Sequence, residues 1–259
     1  MTELLGDTSP CTELVVVCCH AIFNVDTNDP WNEANWHLKP FQRSDKNTSK
    51  VSEHFTLIAH IQAAAESLRR PETFVIFSGG ATDRTIDYTE AESYEDVFLK
   101  LYSDNTNVIS DGRWSMETSA TDSYQNLLFS IVAFRKRVGR YPDTITVITH
   151  AFKSDRFLQS HGPAIRWPQD RIRVLGINPP FTQAELERVQ KAEYQNAFSL
   201  FRTDPCGLKP PLSDKRRDRG WEDSTLEDIE HGLERSVCDL LWYGSFEHSL
   251  HHENLPWEL

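Results

Sequence analysis

The segment Phe74-Val75-Ile76-Phe77-Ser78-Gly79-Gly80 decides the fold that this chain is predicted to adopt. Its first four residues are apolar, aromatic or β-branched, which is typical of a strand buried on both faces of a parallel sheet. The two glycines indicate a sharp exit at which the backbone can approach a ligand closely. Ligands of open α/β sheets bind at the carboxyl ends of the strands, so this turn is the first candidate for a binding site.

The rest of the chain alternates predicted strands with predicted helices. The helices are expected at residues 53–69, 90–101, 122–138, 154–161 and 182–201. The other strands are expected at Leu14–Cys19, Asn107–Ser110, Thr144–Thr149 and Arg171–Ile177. The last of these alternates charged and apolar residues, which indicates a sheet edge. This pattern predicts a Rossmann-like, doubly wound α/β fold, with a mostly parallel sheet of five or more strands and helices on both faces.

Two segments stand outside this alternation. Residues 1–202 are predicted to form the Rossmann-like domain, and residues 203–259 a linker plus a C-terminal helix that packs on the same domain. The basic run Lys215–Arg219 is interpreted as part of a solvated linker. The helix is expected after Ser224, with apolar residues every four positions from Ile229 to Leu241. The aperiodic segment 24–52 is interpreted either as a lid or as a surface excursion.

Composition narrows the function classes. A net charge of −12 argues against a nucleic-acid partner, which would require a basic surface. Five cysteines without a CxxC pair indicate reduced thiols and an intracellular compartment. No apolar stretch approaches the roughly 20 residues that span a bilayer, and the N-terminus does not resemble a signal peptide. We therefore expect a soluble cytoplasmic protein without a membrane partner, and no oligomeric state is predicted.

Several reactive residues follow the predicted strands. In a parallel sheet His20, the turn Ser78–Gly80 and His150 would share one edge, where the histidines are candidate acid–base groups. Lys153 and Arg156 begin the next helix, an end that favours anions, and together with Ser78, Gly79 and Gly80 they predict an anion site. Glu117 or Glu90 would orient a histidine. The alternatives are structural histidines and cations paired with Glu90 or Glu117. No metal-binding motif occurs in the sequence, and no metal ligand is predicted.

The order of these motifs resembles the family built on domain of unknown function 218, also called the YdcF/SanA/ElyC-like family. The resemblance covers residues 14–178 and is strongest for the eukaryotic, especially fungal, branch. The matching positions are Ser78, Gly79, Gly80, Glu90, Glu117, Asn126 and Arg156. The chain departs from the family pattern where Asp122-Ser123 replaces Asn-Thr, Gln125 replaces Glu and Lys153 replaces His. The resemblance implies a Rossmann-like fold and adds Asp122 and Asn126 to the candidate ligand-binding residues.

These observations favour a hydrolase or transferase that acts on a small phosphorylated or nucleotide-like anion. Its catalytic residues would be His20, His150 and Glu117. The ligand-binding residues would be Ser78, Gly79, Gly80, Glu90, Asp122, Asn126, Lys153 and Arg156. The alternative is a ligand-binding or regulatory protein without chemistry. An S-adenosylmethionine-dependent enzyme ranks lower, because the turn Ala21–Asn24 after the first strand lacks glycine. The cofactor is not identified, and a nucleotide or S-adenosylmethionine remain the candidates.

Overall fold

The computed structural model describes residues 10–103, 112–243 and 254–258. Within these residues, five parallel strands form one sheet, and two short antiparallel strands form a second. The strands are β1 (Glu13–Cys18), β2 (Ile22–Phe23), β3 (Trp36–His37), β4 (Thr73–Ser78), β5 (Trp114–Glu117), β6 (Thr144–Thr149) and β7 (Ile172–Gly176). The order across the large sheet is β5-β4-β1-β6-β7, and every neighbouring pair is parallel. The predicted Rossmann-like α/β fold is therefore confirmed.

Helices surround the sheet. They are α1 (His54–Ser67), α2 (Glu90–Tyr102), α3 (Ser123–Val138), α4 (Ser154–Arg156, continued by the π-helical turn Phe157–His161 and by Gly162–Ala164), α5 (Gln183–Glu193, continued by the π-helical turn Tyr194–Phe198 and by Ser199–Thr203), α6 (Leu212–Asp218), α7 (Thr225–Glu230) and α8 (Arg235–Leu241). Short 3-10 turns lie at Glu33–Asn35, Pro40–Gln42, Ala151–Lys153, Gln169–Arg171 and Pro256–Glu258. No helix in the described ranges combines the length and the apolar content that a bilayer crossing requires.

Both faces of the sheet are covered by helices. Successive residues of a strand point to opposite sides, so each strand contributes to two layers of core. Val15 and Val17 of β1 pack with residues of α1 and α2. Leu14 and Val16 pack on the other side, with residues of α3 and α4. All six residues of β1 are buried, as its continuous apolar run predicts.

The strand next to β4 differs from the prediction. The predicted strand Asn107–Ser110 lies outside the described residues, and β5 occupies Trp114–Glu117, where a connection was expected. This strand escapes sequence patterns because its polar residues, Ser115 and Glu117, are the more deeply buried ones. The edge position predicted for the fifth strand is confirmed, since β7 pairs with β6 alone among the described strands.

The C-terminal residues pack on the core that α3 and α4 cover. Leu226, Val237 and Leu241 belong to that cluster. The single helix predicted there is wrong: the chain forms α7 and α8, which are separated at Gly232, a residue with a φ of 80°. That left-handed conformation favours glycine and ends a helix. Part of the predicted linker is also helical, since it contains α6.

A close backbone contact positions the turn after β6. A Cβ atom on Gly176, the last residue of β7, would lie 2.4 Å from the Cα atom of Ala151. Ala151 begins the 3-10 turn that ends at Lys153. Glycine therefore lets β7 approach this turn, and the placement of Lys153 depends on that approach.

We expect Gly176→Ala to lower the free energy of unfolding by about 1–3 kcal/mol, because backbone atoms must move to admit the methyl group. Urea denaturation at pH 7.5 measures the change. Gly162→Ala in α4 is the control. A Cβ atom there would lie 3.2 Å from the nearest atom, the carbonyl oxygen of Phe157, and alanine favours the helix, so a smaller loss of stability is expected. A Gly176→Ala protein as stable as the wild type would contradict the packing argument.

Candidate functional site

The order of the strands reverses between β1 and β6. The chain passes from β1 outward to β4 and β5, and then returns to the other side of β1 for β6 and β7. In open α/β sheets the crevice at such a switch point is where ligands bind. His20 lies two residues after β1 and His150 follows β6 directly. Their ring centroids are 4.9 Å apart, so the structure brings these two predicted residues together at the switch point.

A third histidine, which the sequence prediction missed, joins this pair. His60 of α1 lies with its ring centroid 5.1 Å from that of His150 and 6.2 Å from that of His20. Its Nε2 atom lies 3.0 Å from the carbonyl oxygen of Ile177. The signal in the sequence was a histidine directly before Ile61 on the apolar face of a helix. We refer to His20, His60 and His150 as the histidine cluster.

The histidine cluster is electrically neutral near pH 7. Burial lowers the pKa of His20 and His150 well below the ordinary value, and the positive charge of Lys153 lowers both further. Burial lowers the pKa of His60 to about 4, although its hydrogen bond with Ile177 opposes the shift. In the described ranges, both ring nitrogens of His150 and the Nδ1 atom of His60 are buried without a hydrogen-bond partner. Such nitrogens can accept a proton or bind a polar ligand.

Lys153 lies against the histidine cluster. Its Nζ atom is 3.3 Å from Nδ1 and 3.2 Å from Nε2 of His20, whose Nε2 atom is also 3.0 Å from the hydroxyl of Thr149. Burial and the charge of Arg156 together lower the pKa of Lys153 to about 8, although the charges of Glu193 and Glu53 oppose the shift. No carboxylate of the described residues forms an ion pair with this ammonium group. The site therefore contains a partly buried cation that lacks a bonded counterion in the described residues.

Arg156, the second predicted anion ligand, is paired within the protein. Its Nε atom is 3.3 Å from Oε1 of Glu193 in α5, and both side chains are largely buried. The alternative considered from the sequence was pairing with Glu90 or Glu117, but the partner comes from a helix that follows β7. Arg156 still contributes positive charge to the edge, since it lowers the pKa of Lys153.

The segment predicted as a lid or a surface excursion reaches the histidine cluster. It contains β3, and Trp36 of β3 is buried against Phe23 of β2, the strand that directly precedes the segment. Gln42 donates from Nε2 to the carbonyl oxygen of His20 at 3.2 Å. Glu53, which follows the segment, places Oε2 at 3.7 Å from Nε2 of His150, beyond a normal hydrogen bond. The segment thus supplies part of the wall around the histidines.

The glycine turn after β4 is packed against protein. The amide of Gly79 donates to the carbonyl oxygen of Glu117 at 3.0 Å, and the amide of Gly80 donates to that of Ala120 at 2.7 Å. A Cβ atom at Gly79 would lie 2.9 Å from Oε2 of Glu90, and one at Gly80 would lie 2.9 Å from the Ala120 oxygen. The prediction that these two amides hold an anion is wrong, because internal hydrogen bonds already occupy both.

Ser78, Glu117 and Asn126 form a closed buried network. Ser78 donates its hydroxyl to Oε2 of Glu117 at 2.5 Å, and Asn126 donates Nδ2 to the Ser78 hydroxyl oxygen at 2.9 Å. The amides of Ser119 and Ala120 donate to the other Glu117 oxygen at 2.7 and 3.0 Å. Burial raises the pKa of Glu117 to about 7. Within the described residues these bonds join β4, β5 and α3, and none of them involves a histidine.

Glu90, the first residue of α2, also bonds inside the protein. Its Oε1 atom accepts the hydroxyl of Thr82 at 2.5 Å. Burial raises the pKa of Glu90, whereas the bond from Thr82 and the charges of Arg219, Lys153 and Lys39 lower it. Three cations from separate parts of the chain therefore lie within electrostatic reach of this carboxyl group.

Asp122 is a structural residue in this fold. Its Oδ1 atom accepts the amide of Gln125 at 2.9 Å and caps α3, while Oδ2 pairs with Nε of Arg216 at 2.6 Å. Burial raises the pKa of Asp122, but the charge of Arg216 and the hydrogen bonds from Arg216 and Gln125 together hold the pKa below its usual value. Interpreting the basic run as solvated linker is wrong for Arg216, which is buried in α6.

A separate cleft of about 450 Å³ lies at the opposite end of the sheet, at the amino ends of the strands. Its buried carboxylate, Glu13, accepts hydrogen bonds from Arg70, Thr73, Thr146 and Arg173. Both oxygens of Glu13 accept hydrogen bonds, and two of the donors are arginines. The carboxylate charge is therefore compensated within the cleft. No group of three or more histidine, cysteine or acidic residues in the described ranges is arranged to hold a metal ion.

The fold and the cluster define a Rossmann-like α/β protein with neutral histidines at its switch point, beside a lysine that has no ion pair in the part of the chain that the structure describes. The chain belongs to the family of "Uncharacterized protein YOR238W" of Saccharomyces cerevisiae. The two sequences are 31% identical over an alignment 257 positions long, which covers 80% of this chain and 83% of the yeast protein. No protein-family model and no solved structure matches the chain. The resemblance to the YdcF/SanA/ElyC-like family stays a prediction.

The neutral cluster should make the fold sensitive to acid. The folded pKa of His60 is about 4 and lies below its ordinary value of 6.5, so its stabilising contribution is present above pH 6.5 and is lost as the pH falls through 4. We expect His60→Gln to remove about 3 kcal/mol of this pH dependence. Urea denaturation between pH 4 and 7.5 measures it. At pH 7.5 His60 is neutral in both the folded and the unfolded protein, so the difference in free energy of unfolding there reports packing alone. Wild-type and variant curves that run parallel over the whole pH range would contradict a lowered pKa of His60.

The buried pair of Asp122 and Arg216 generates a second stability prediction. Asp122→Asn keeps the cap but leaves the guanidinium buried without its counterion, and should lower the free energy of unfolding by about 3–5 kcal/mol. The double variant Asp122→Asn/Arg216→Met removes both charges and should recover most of that loss. Urea denaturation of the three proteins checks this cycle. A double variant no more stable than the single variant would rule out an uncompensated charge as the cause.

Proposed function

We propose that this protein binds a small anionic ligand, phosphorylated or nucleotide-like, at the switch point of its sheet and hydrolyses it with histidine acid–base groups. The observation that carries the proposal is Lys153: a partly buried ammonium group without an ion pair in the described residues, 3.2 Å from a ring nitrogen of His20. A buried charge is costly unless it is paired. An anion in the crevice would supply the missing charge.

The neighbouring groups suit proton transfer. A neutral imidazole can act as a general base, and His150 has two buried nitrogens without partners in the described residues. In the proposed reaction His150 takes a proton from a water molecule, whose oxygen forms the new bond to phosphorus. The phosphorus–oxygen bond of the ester breaks, and the leaving oxygen receives a proton from Lys153. A lysine whose pKa is about 8 can both stabilise the developing charge and donate that proton.

Binding without chemistry is the second candidate function. The observation that favours it is the lack of a hydrogen-bonded carboxylate behind His150, since Glu53 remains 3.7 Å away. General bases are usually oriented by such a partner. In addition, this chain has Lys153 at the position where the YdcF/SanA/ElyC-like pattern has histidine, which weakens the argument for shared chemistry. Both functions use the same crevice and the same cation.

Lys153→Met tests the anion site. We expect inorganic phosphate at millimolar concentration to raise the melting temperature of the wild type and to lose at least tenfold in apparent affinity with the variant, because the variant lacks the cation. Lys191→Met removes an exposed lysine of α5 and serves as the control. An unchanged phosphate response in Lys153→Met would overturn the proposed site.

His150→Gln and His20→Gln separate the two candidate functions. A phosphatase assay with a panel of phosphate monoesters and nucleotides should show turnover by the wild type. Loss of a general base should reduce it by about 10²–10⁴-fold, while phosphate binding persists. Turnover unchanged in both variants would contradict histidine acid–base chemistry. Phosphate binding without turnover of any ester would favour the non-catalytic function.

A further inference from the structure

A second group of cations reaches the same edge from the C-terminal part of the chain. Arg219, just after α6, donates Nη1 to the carbonyl oxygen of Thr121 at 2.5 Å. The neighbouring carbonyl, that of Ala120, accepts the amide of Gly80. Arg219 therefore lies beside the turn after β4, whereas Lys153 lies beside His20, which follows β1.

Lys215 of α6 lies one helical turn before Arg219, whose amide donates to the carbonyl oxygen of Lys215 at 3.2 Å. Its Nζ atom donates to the carbonyl oxygen of Asn196 in α5 at 2.9 Å. Burial lowers the pKa of Lys215, the charges of Arg219 and Arg156 lower it further, and Glu193 opposes the shift. Lys215 is therefore within electrostatic reach of both the Arg156–Glu193 pair and Arg219.

Both cations retain unused hydrogen-bond donors. A guanidinium group has five N–H donors and an ammonium group has three. In the described ranges Arg219 and Lys215 each bond one backbone oxygen, and neither forms an ion pair with a carboxylate. Both side chains are exposed, so a ligand can reach them from solvent.

The body of the protein fixes the helix that carries these cations. Arg216 of the same helix is buried against Asp122, and Leu212 packs in the core. Arg84, from the loop after the glycine turn, donates to the carbonyl oxygen of Arg217 at 2.6 Å. The cations are thus held in place despite their mutual repulsion, an arrangement that suits a recognition site for a multiply charged anion.

We propose that the ligand of the crevice is a diphosphate-type anion, with one phosphoryl group at Lys153 and a second group at Lys215 and Arg219. The inference rests on the anion site proposed above and defines its ligand class. Lys153 lies beside His20, which follows β1, and Arg219 lies beside the turn after β4, the strand adjacent to β1, while Lys215 is one helical turn from Arg219. Neighbouring strands are about 4.8 Å apart, so cations beside the turns after two adjacent strands can contact two linked phosphoryl groups of one anion.

The test compares inorganic phosphate with inorganic pyrophosphate by isothermal titration calorimetry, with the full chain and in buffer without divalent cations. The wild type should bind pyrophosphate at least about tenfold more tightly than phosphate, because charge-assisted hydrogen bonds to a second group add to the affinity. Lys215→Gln/Arg219→Gln should abolish this preference and leave the phosphate affinity within about twofold. Lys209→Gln/Arg217→Gln removes two exposed cations of the same segment and should keep the preference.

Each outcome decides a different point. Equal affinities of the wild type for the two anions, or a preference that survives in Lys215→Gln/Arg219→Gln, would overturn the diphosphate assignment and leave the anion site standing. Equal loss of preference in Lys209→Gln/Arg217→Gln would overturn it as well, since general charge would then explain the effect. Absence of binding of either anion to the wild type would instead refute the anion site itself. Unchanged circular dichroism and melting temperature verify that the double variants are folded.

Discussion

The burial of β1 on both faces is the constraint on which the site depends. This strand pairs with β4 on one side and β6 on the other, and its register places Cys18 opposite Ser78 and Val17 opposite Ile148. A slip by one residue would move every side chain to the other covered face. The packing of the apolar residues therefore determines where three strands end, and the turns that carry His20 and His150 leave the sheet at one level.

The elements that could be predicted from the sequence are those whose own residues show a recognisable apolar pattern. The apolar runs of β1, β4 and β6 and the apolar stripes of α1 and α3 are of this kind, and the convergence of His20 and His150 follows from them. The strand β5 is not, because Ser115 and Glu117 face inward and bond to neighbours that no local pattern reveals.

The polar residues at the carboxyl ends of the strands were also hard to interpret, because their partners are distant in the sequence. A carboxylate in sequence does not show its partner, so Asp122 and Glu117 were predicted to be functional, although one pairs with Arg216 and the other accepts Ser78. The partners come from residues 94 and 39 positions away in the chain. His60 was missed because a buried histidine within an apolar stripe is usually structural, and only tertiary packing places it beside His150.

The cations near the carboxyl ends of the strands differ in whether a carboxylate of the protein pairs with them. The chain has 39 acidic and 27 basic residues, so a carboxylate partner for one more buried cation would be easy to provide. Arg156 and Arg216 have such partners, in Glu193 and Asp122. Exposed cations need none, because water solvates them, but partial burial reduces the solvation of Lys153 and lowers its pKa. This lysine has no ion pair among the described residues and lies beside three neutral histidines, in a protein with an excess of acid, and that arrangement is what the proposed anion site rests on.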